Sequence, residues 1–176
     1  DGYTGDGKEG CQDINECSTA TWNQTYGGNH EGQFDYGNAV QITDDGGYIV
    51  TGAAQPRGSS YTGLWLMKVG ADGNPIWNQP NFRSNSHLIG TSVQQTADGG
   101  YIVIANLTNR VTNNGGAWLI KTDSEGIWAW SKYFGSSWGI SGKSVQQTQD
   151  GGYIITGHTN SPGSLNRLQS HRWLAK

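Results

Sequence analysis

"AVQITDDGGYIVTG" (residues 39–52) returns twice, as "SVQQTADGGYIVIA" (92–105) and "SVQQTQDGGYIITG" (144–157). Tyr48, Tyr101 and Tyr153 mark the repeat, 53 and then 52 residues apart. Periodicity of this length signals one supersecondary unit used several times, and it outranks local propensity as a guide to the fold. Each copy is a hairpin by its chemistry. β-Branched and aromatic runs flank Asp-Gly-Gly, which supplies the positive φ of a tight turn. A second phrase follows each copy: "LWLMKVGADGNPIWN" (64–78), "AWLIKTDSEGIWAWS" (117–131) and "RWLAK" (172–176). Trp65, Trp118 and Trp173 keep nearly the same interval, 53 and then 55 residues. "WLIK" and "IWAW" flank "TDSEG", a longer turn that ends in Gly.

One repeat is therefore four short strands in about 53 residues. No apolar pattern of period 3.6 runs long enough for a helix. Four strands in roughly 40 to 50 residues is the format of a β-propeller blade. The expected fold is all-β and propeller-like, with three four-stranded repeats. "YIVI" and "WLI" are apolar in succession rather than alternating, which suits strands covered on both faces, as when blades pack on blades.

The third copy stops at Lys176, after three of its strands. A counterpart of the fourth stands near the other terminus. "TWNQTYGG" (21–28) matches "IWNQPNF" (76–82) and "AWSKYFG" (129–135), with Trp22, Trp77 and Trp130 in register. Each of these Trp residues precedes the next repeat's Tyr by a similar distance, 26, 24 and 23 residues. The chain reads as three blades permuted by one strand, the last blade being completed by the N-terminal strand of its own chain or of a neighbour. An unpaired edge is a liability that such a strand covers. Three blades fall below the usual four to eight, and two chains would give six. Head-to-tail contacts close into a ring or run on as a fibre, depending on the rotation.

Composition narrows the function classes. Charged residues are 14% of the 176, and the net charge is −3 with no basic run. That removes the electrostatic case for nucleic acid or anionic lipid. No stretch approaches the roughly 18 to 20 apolar residues of a membrane span. Eight Trp and eight Tyr against three Phe favour aromatics with a polar handle, a common look among secreted all-β proteins.

The phrase "DGGYIVTG … WLMKVGADGNPIWN" resembles the propeller-like repeats of secreted and surface proteins of bacteria and archaea, and the resemblance covers residues 21–176. The opening stretch is different. "GYTGDGKEGC" (2–11) followed by "DINEC" (13–17) resembles the junction between two calcium-binding EGF-like modules. Residues 1–20 are then a partial EGF-like linker ahead of the repeat domain. That resemblance implies calcium ligation by Asp13, the carbonyl of Ile14 and Glu16. The remaining cysteines and later ligands of a whole module are absent, and three oxygens fall short of the six to eight calcium takes. The alternative is a connector in which Cys11 and Cys17 pair with each other. Either reading points to an oxidising, extracellular or cell-surface setting.

Recurrence decides how the remaining side chains are read. Trp22, Trp77 and Trp130, and likewise Trp65, Trp118 and Trp173, recur at equivalent positions, as packing requires. Asp45, Asp98 and Asp150 are ordinary turn acids. Gln41, Gln94 and Gln146 follow a Val in each copy, where amides knit neighbouring backbones. Trp128 and Trp138 break the pattern, and Trp138, in the loop "GSSWGISG", is the candidate for stacking on a sugar ring. The four His stand in no ligand spacing, and no G-x-S-x-G elbow is present, so no catalytic residue is nominated. Sequons occur at Asn23 and Asn106, the latter expected at the start of an exposed loop. The expected function is a secreted, non-enzymatic structural or adhesive module. Its partners are further copies of itself, other surface proteins or glycans. The alternative is a lectin-like carbohydrate-binding module.

Overall fold

A computed structural model describes residues 22–26, 35–56, 58–82, 86–108, 115–135, 139–162 and 168–176. The chain is all-β, with eleven strands in three antiparallel sheets. The first sheet runs β1 (Tyr36–Ile42), β2 (Tyr48–Ala54), β3 (Gly63–Val69) and β4 (Pro75–Phe82) in chain order. The second repeats the pattern with β5 (His87–Gln95), β6 (Tyr101–Thr108), β7 (Gly115–Thr122) and β8 (Trp128–Gly135). The third holds β9 (Ile140–Gln147), β10 (Tyr153–Pro162) and β11 (Leu168–Ala175). Among the described residues no helix is long and apolar enough to cross a membrane.

The repeats are thus as read, including the missing fourth strand of the third copy, with one correction to how that copy is completed. The third sheet has three strands, and β11 is its outer edge. Residues 22–26 form no strand beside β11 of their own chain; they lie against the first sheet. The reason is spatial. The second sheet packs between the other two, so the first and third sheets stand on opposite sides of it. Among the described residues the three sheets do not close into a ring.

The Asp-Gly-Gly turns form as their chemistry demands. Thr43 N–H donates to Gly47 O and Gly46 N–H to Thr43 O, both at 2.9 Å, and the same pair of bonds recurs from Thr96 and from Thr148. The first Gly of each motif has φ between 76° and 80°, at Gly46, Gly99 and Gly151. The second Gly leaves space: a Cβ at Gly47 would lie 2.5 Å from Lys68 Nζ.

That lysine comes from the "WLxK" phrase and ties the third strand of each sheet to the first turn. Asp45 Oδ1 accepts from Thr43 Oγ1 at 2.5 Å, Gly47 N at 3.1 Å and Lys68 Nζ at 3.0 Å. Asp98 Oδ1 accepts from Thr96 Oγ1 at 2.6 Å, Gly100 N at 3.0 Å and Lys121 Nζ at 3.0 Å. Asp150 pairs with Lys176 at 2.8 Å. The Lys68 and Lys121 side chains are buried while their acids remain largely exposed. The Thr96 hydroxyl, then Lys121, holds the Asp98 carboxyl down at about 2. Asp45 is lowered likewise, first by Thr43 and then by Lys68, and Asp150 first by Lys176.

The successive apolar residues of the middle strands are covered on both faces, as expected: every residue of β3 is buried. Ile49, Leu64 and Leu66 of the first sheet meet Leu88, Val93 and Val103 of the second. Ile102, Ile104 and Leu119 of the second meet Val145 and Ile155 of the third.

Asp98→Ala leaves the Lys121 ammonium buried without its carboxylate, and it should lower stability by about 2–3 kcal/mol. Lys121→Met removes the charge together with its need for a partner and should cost less. Urea unfolding of both variants and the double variant tests this; equal losses for the two single changes would refute the tie. The pH dependence has a definite sign. The unfolded chain protonates Asp98 near its ordinary value of about 3.9, while the folded chain resists to about 2. Stability from this group is therefore present above about pH 4 and lost as pH falls to about 2. The melting temperature of Asp98→Asn should vary less over that interval than that of the native chain.

Candidate functional site

The repeats carry their chemistry at the joints between sheets, and each joint starts from a β-bulge. The ladder between the first two strands shifts register at the same repeat position in all three sheets. Asn38, Thr91 and Lys143 are the extra residues, each following a glycine (Gly37, Gly90, Gly142). A bulge re-aims its side chain out of the ladder. Asn38 Nδ2 donates to Gly90 O at 2.8 Å, and Thr91 Oγ1 to Gly142 O at 3.0 Å. The first bulge thus reaches the second sheet and the second reaches the third, along one direction. The glycines permit close approach: a Cβ on Gly90 would lie 2.6 Å from Leu64 Cδ1, and one on Gly142 would meet Ile104.

The recurring glutamines knit backbones, as expected. Gln95 N–H donates to Gln41 Oε1 at 2.8 Å, and Gln95 Oε1 accepts from Asp44 N at 2.8 Å. The next joint repeats this: Gln147 N–H donates to Gln94 Oε1 at 2.6 Å, and Gln147 Oε1 accepts from Ala97 N at 2.8 Å. Gln95 and Gln147 are incoming partners whose equivalent in the first repeat is Ile42.

The fourth-strand tryptophans lock the outer side of each joint. Trp77 packs edge-on against Tyr101 at 5.7 Å, and its indole N–H donates to Ser124 O at 3.2 Å in the turn of the next sheet. Trp130 meets Tyr153 at the equivalent position, with ring centroids 5.7 Å apart and the planes tilted at 58°. Trp22 does likewise on the first sheet: Tyr48 lies at 5.8 Å, and Ala71 O accepts from its indole at 3.0 Å. Tyr26 adds a hydrogen bond from its hydroxyl to Gly73 O and covers Trp65, Met67 and Val69. Residues 22–26 therefore sit where the fourth strand of a sheet preceding the first would sit.

The two end faces of the stack are left open. Val40 is 65% exposed, whereas its equivalents Val93 and Val145 are 7% and 3% exposed inside joints. Leu174 is 69% exposed, against 0% for Leu66 and 4% for Leu119. Ile42 is exposed beside Val40, and Thr156 beside Leu174.

Other sequence-derived sites fare unevenly. Asp13, Ile14, Glu16, Cys11, Cys17 and Trp138 lie outside the described residues, as does the Trp173 side chain. Among the described residues no cluster of three or more His, Cys, Asp and Glu is arranged to hold a metal ion. Asn23 is exposed. Asn106 does not open an exposed loop: it lies within β6, half-buried, donating to Gly142 O at 3.0 Å and accepting from Gly142 N at 2.8 Å. Trp128 is exposed and packs edge-on against Trp118 at 6.1 Å. The bulge residues were missed in the sequence, although Gly-x-Ala/Ser ("GNA", "GTS", "GKS") recurs at the repeat interval. No family model matches the chain, and no curated protein is found similar to it.

Among the described residues one buried side-chain polar atom is unsatisfied. Trp65 Nε1 donates to Asn78 Oδ1 at 2.7 Å, but its equivalent, Trp118 Nε1, is buried without an acceptor. The pairing differs at this position: Met67 faces Asn78, whereas Ile120 faces the shorter Ser131, which has no amide to offer. Ser131→Asn should raise stability by about 1 kcal/mol, a gain of about 2–4 °C in melting temperature. No gain, with the fold intact, would show that the indole is satisfied by solvent.

Proposed function

We propose that this chain is a secreted, non-enzymatic structural module built of propeller-like blades, each sheet being one blade. The carrying observation is that the recurring polar side chains are engaged in architecture. The turn acids bind their own blade's lysines, the glutamines bind the next blade's backbone, and the tryptophans bind the next blade's turn. A repeat whose shared polar groups join blade to blade is selected for stacking, with variation left to its loops.

The adhesive role belongs to the same reading. The connections between β2 and β3 and between β6 and β7 differ in sequence from copy to copy, which is where partner contacts would be carried. Residues 1–20 serve as an extracellular linker in which Cys11 and Cys17 pair, with calcium ligation by Asp13, the Ile14 carbonyl and Glu16 as the alternative. Asn23 is a glycan acceptor in this setting.

A glycan array probed with the full chain separates this reading from a lectin. The structural reading expects no saturable, sugar-specific binding. Binding that is saturable, competed by one free sugar and abolished by Trp138→Ala would overturn it.

A further inference from the structure

We propose that the open face of the first blade receives the third blade of a second copy, and that two copies close head-to-tail into a six-bladed ring. Residues 22–26 of each copy then serve as the fourth strand of the other copy's third blade. This deepens the structural reading and rests on it.

The occupant follows from continuity with the two joints inside the chain. Several elements that one blade offers the next are present and exposed on the third, although Arg172 stands where Leu64 and Ala117 are buried in the internal joints. Lys143 holds the bulge position from which Asn38 and Thr91 reach a glycine carbonyl. Exposed Gln146 holds the position at which Gln41 and Gln94 accept a backbone N–H. Leu174 and Thr156 hold the positions of Leu66 with Thr51 and of Leu119 with Ile104, which are buried in joints.

The first blade keeps the matching receptor. Gly37 stands where Gly90 and Gly142 admit a neighbour, yet a Cβ there would meet only Val50 and Trp65 of its own blade, at 3.6 and 3.8 Å. Val40 stands where Val93 and Val145 are buried. Its joint cluster is half-built, because Trp22 and Tyr26 already occupy the outer side.

The strand register is determined. Lys68 pairs with Trp77, and Lys121 with Trp130. The same relation sets Lys176 opposite Trp22, and Leu174 opposite Gln24. A blade arriving on Val40 by the geometry of the internal joints brings its unpaired β11 edge beside residues 22–26, which are held in place by their tryptophan. The chain's own third blade stands beyond the second, so the arriving blade belongs to another copy. Two copies supply six blades, within the usual four to eight, whereas one copy supplies three. The two joints of such a pair are identical under a two-fold axis, so assembly stops at two.

The seam differs from the internal joints in charge and in one amide: Lys143 and Arg172 put cations where Asn38 and Thr91, and Leu64 and Ala117, are neutral. Ile42 stands where Gln95 and Gln147 accept a backbone N–H from the preceding blade, so the seam lacks one amide bond and carries an apolar contact instead.

Light scattering of the full chain at micromolar concentration should give twice the 19.0 kDa chain mass. Val40→Lys and Leu174→Glu each place a charge in the seam while altering a side chain exposed in the single chain. Each should give the single-chain mass, with circular dichroism and melting showing a folded domain. Mixing the two variants should restore the doubled mass, because one seam then pairs lysine with glutamate and the other is native. Native chain at the single mass up to 100-fold higher concentration would overturn the proposal. So would an open polymer, or a dimer that neither variant divides. These outcomes leave the structural reading standing, whereas sugar-specific binding lost with Trp138→Ala would overturn that reading without changing the mass.

Discussion

The bulged glycine carbonyl is the constraint on which the rest depends. An extra residue in the first strand of each sheet breaks the ladder and turns main-chain groups away from their own sheet. Main-chain groups held away from water must find partners. Gly90 O finds Asn38, and Gly142 O finds Thr91 and Asn106, all from the preceding sheet. One sheet alone therefore cannot satisfy itself. Joint polarity follows from the same device: the bulge points one way, so sheets add in one direction only. The glutamine amides, the leucine–valine packing and the stacked tryptophans all obey that direction.

Two levels of organisation are kept apart by charge. Within a sheet the tie is ionic: a buried lysine, a turn carboxylate and the carbonyl beyond it, as in Lys121 to Thr122 O at 2.8 Å. A buried ammonium is costly unless all its hydrogens are engaged. It can therefore form only when the first turn and third strand of the same sheet are both in place, which selects the hairpin order. Between sheets the joints are neutral amides and apolar contacts. Neutral joints discriminate weakly by charge, so their specificity rests on shape, at Gly90 and Gly142 above all.

Much of this was legible. Tyr48, Tyr101 and Tyr153 placed the hairpins, and the amides at Gln41 and Gln94 do what recurring strand amides are expected to do. Asn106 was not legible, because its equivalents are Ala53 and His158, so no recurrence marked it as a joint residue. The bulges were hidden because a bulge changes register without changing composition. Trp22 was half legible. Equivalence with Trp77 and Trp130 set the expectation of a fourth-strand residue, and those two have two neighbours each: a strand paired within their own sheet and a residue of the next sheet that they pack on. Sequence spacing ranks neither. The structure shows the stacking neighbour, on Tyr48 and Ala71 O.

That division has a thermodynamic consequence. A strand donated to an open edge ordinarily loses its conformational freedom at the moment of pairing, at about 1–2 kcal/mol per residue. Residues 22–26 are already anchored by an indole hydrogen bond, an edge-on ring contact and the Tyr26 hydroxyl. Part of the ordering is therefore complete before any edge arrives, and preorganisation of this kind favours association without adding contact area. Ile42 contributes the complementary half. An amide at that position would offer the acceptor that Gln95 and Gln147 provide for a main-chain N–H in the two internal joints. Isoleucine makes that face distinct: in the proposed pairing an arriving sheet would meet an exposed apolar side chain there and an amide in the internal joints. Discrimination between like surfaces needs a difference of this kind, and the repeat departs from its own pattern at the face where the difference matters.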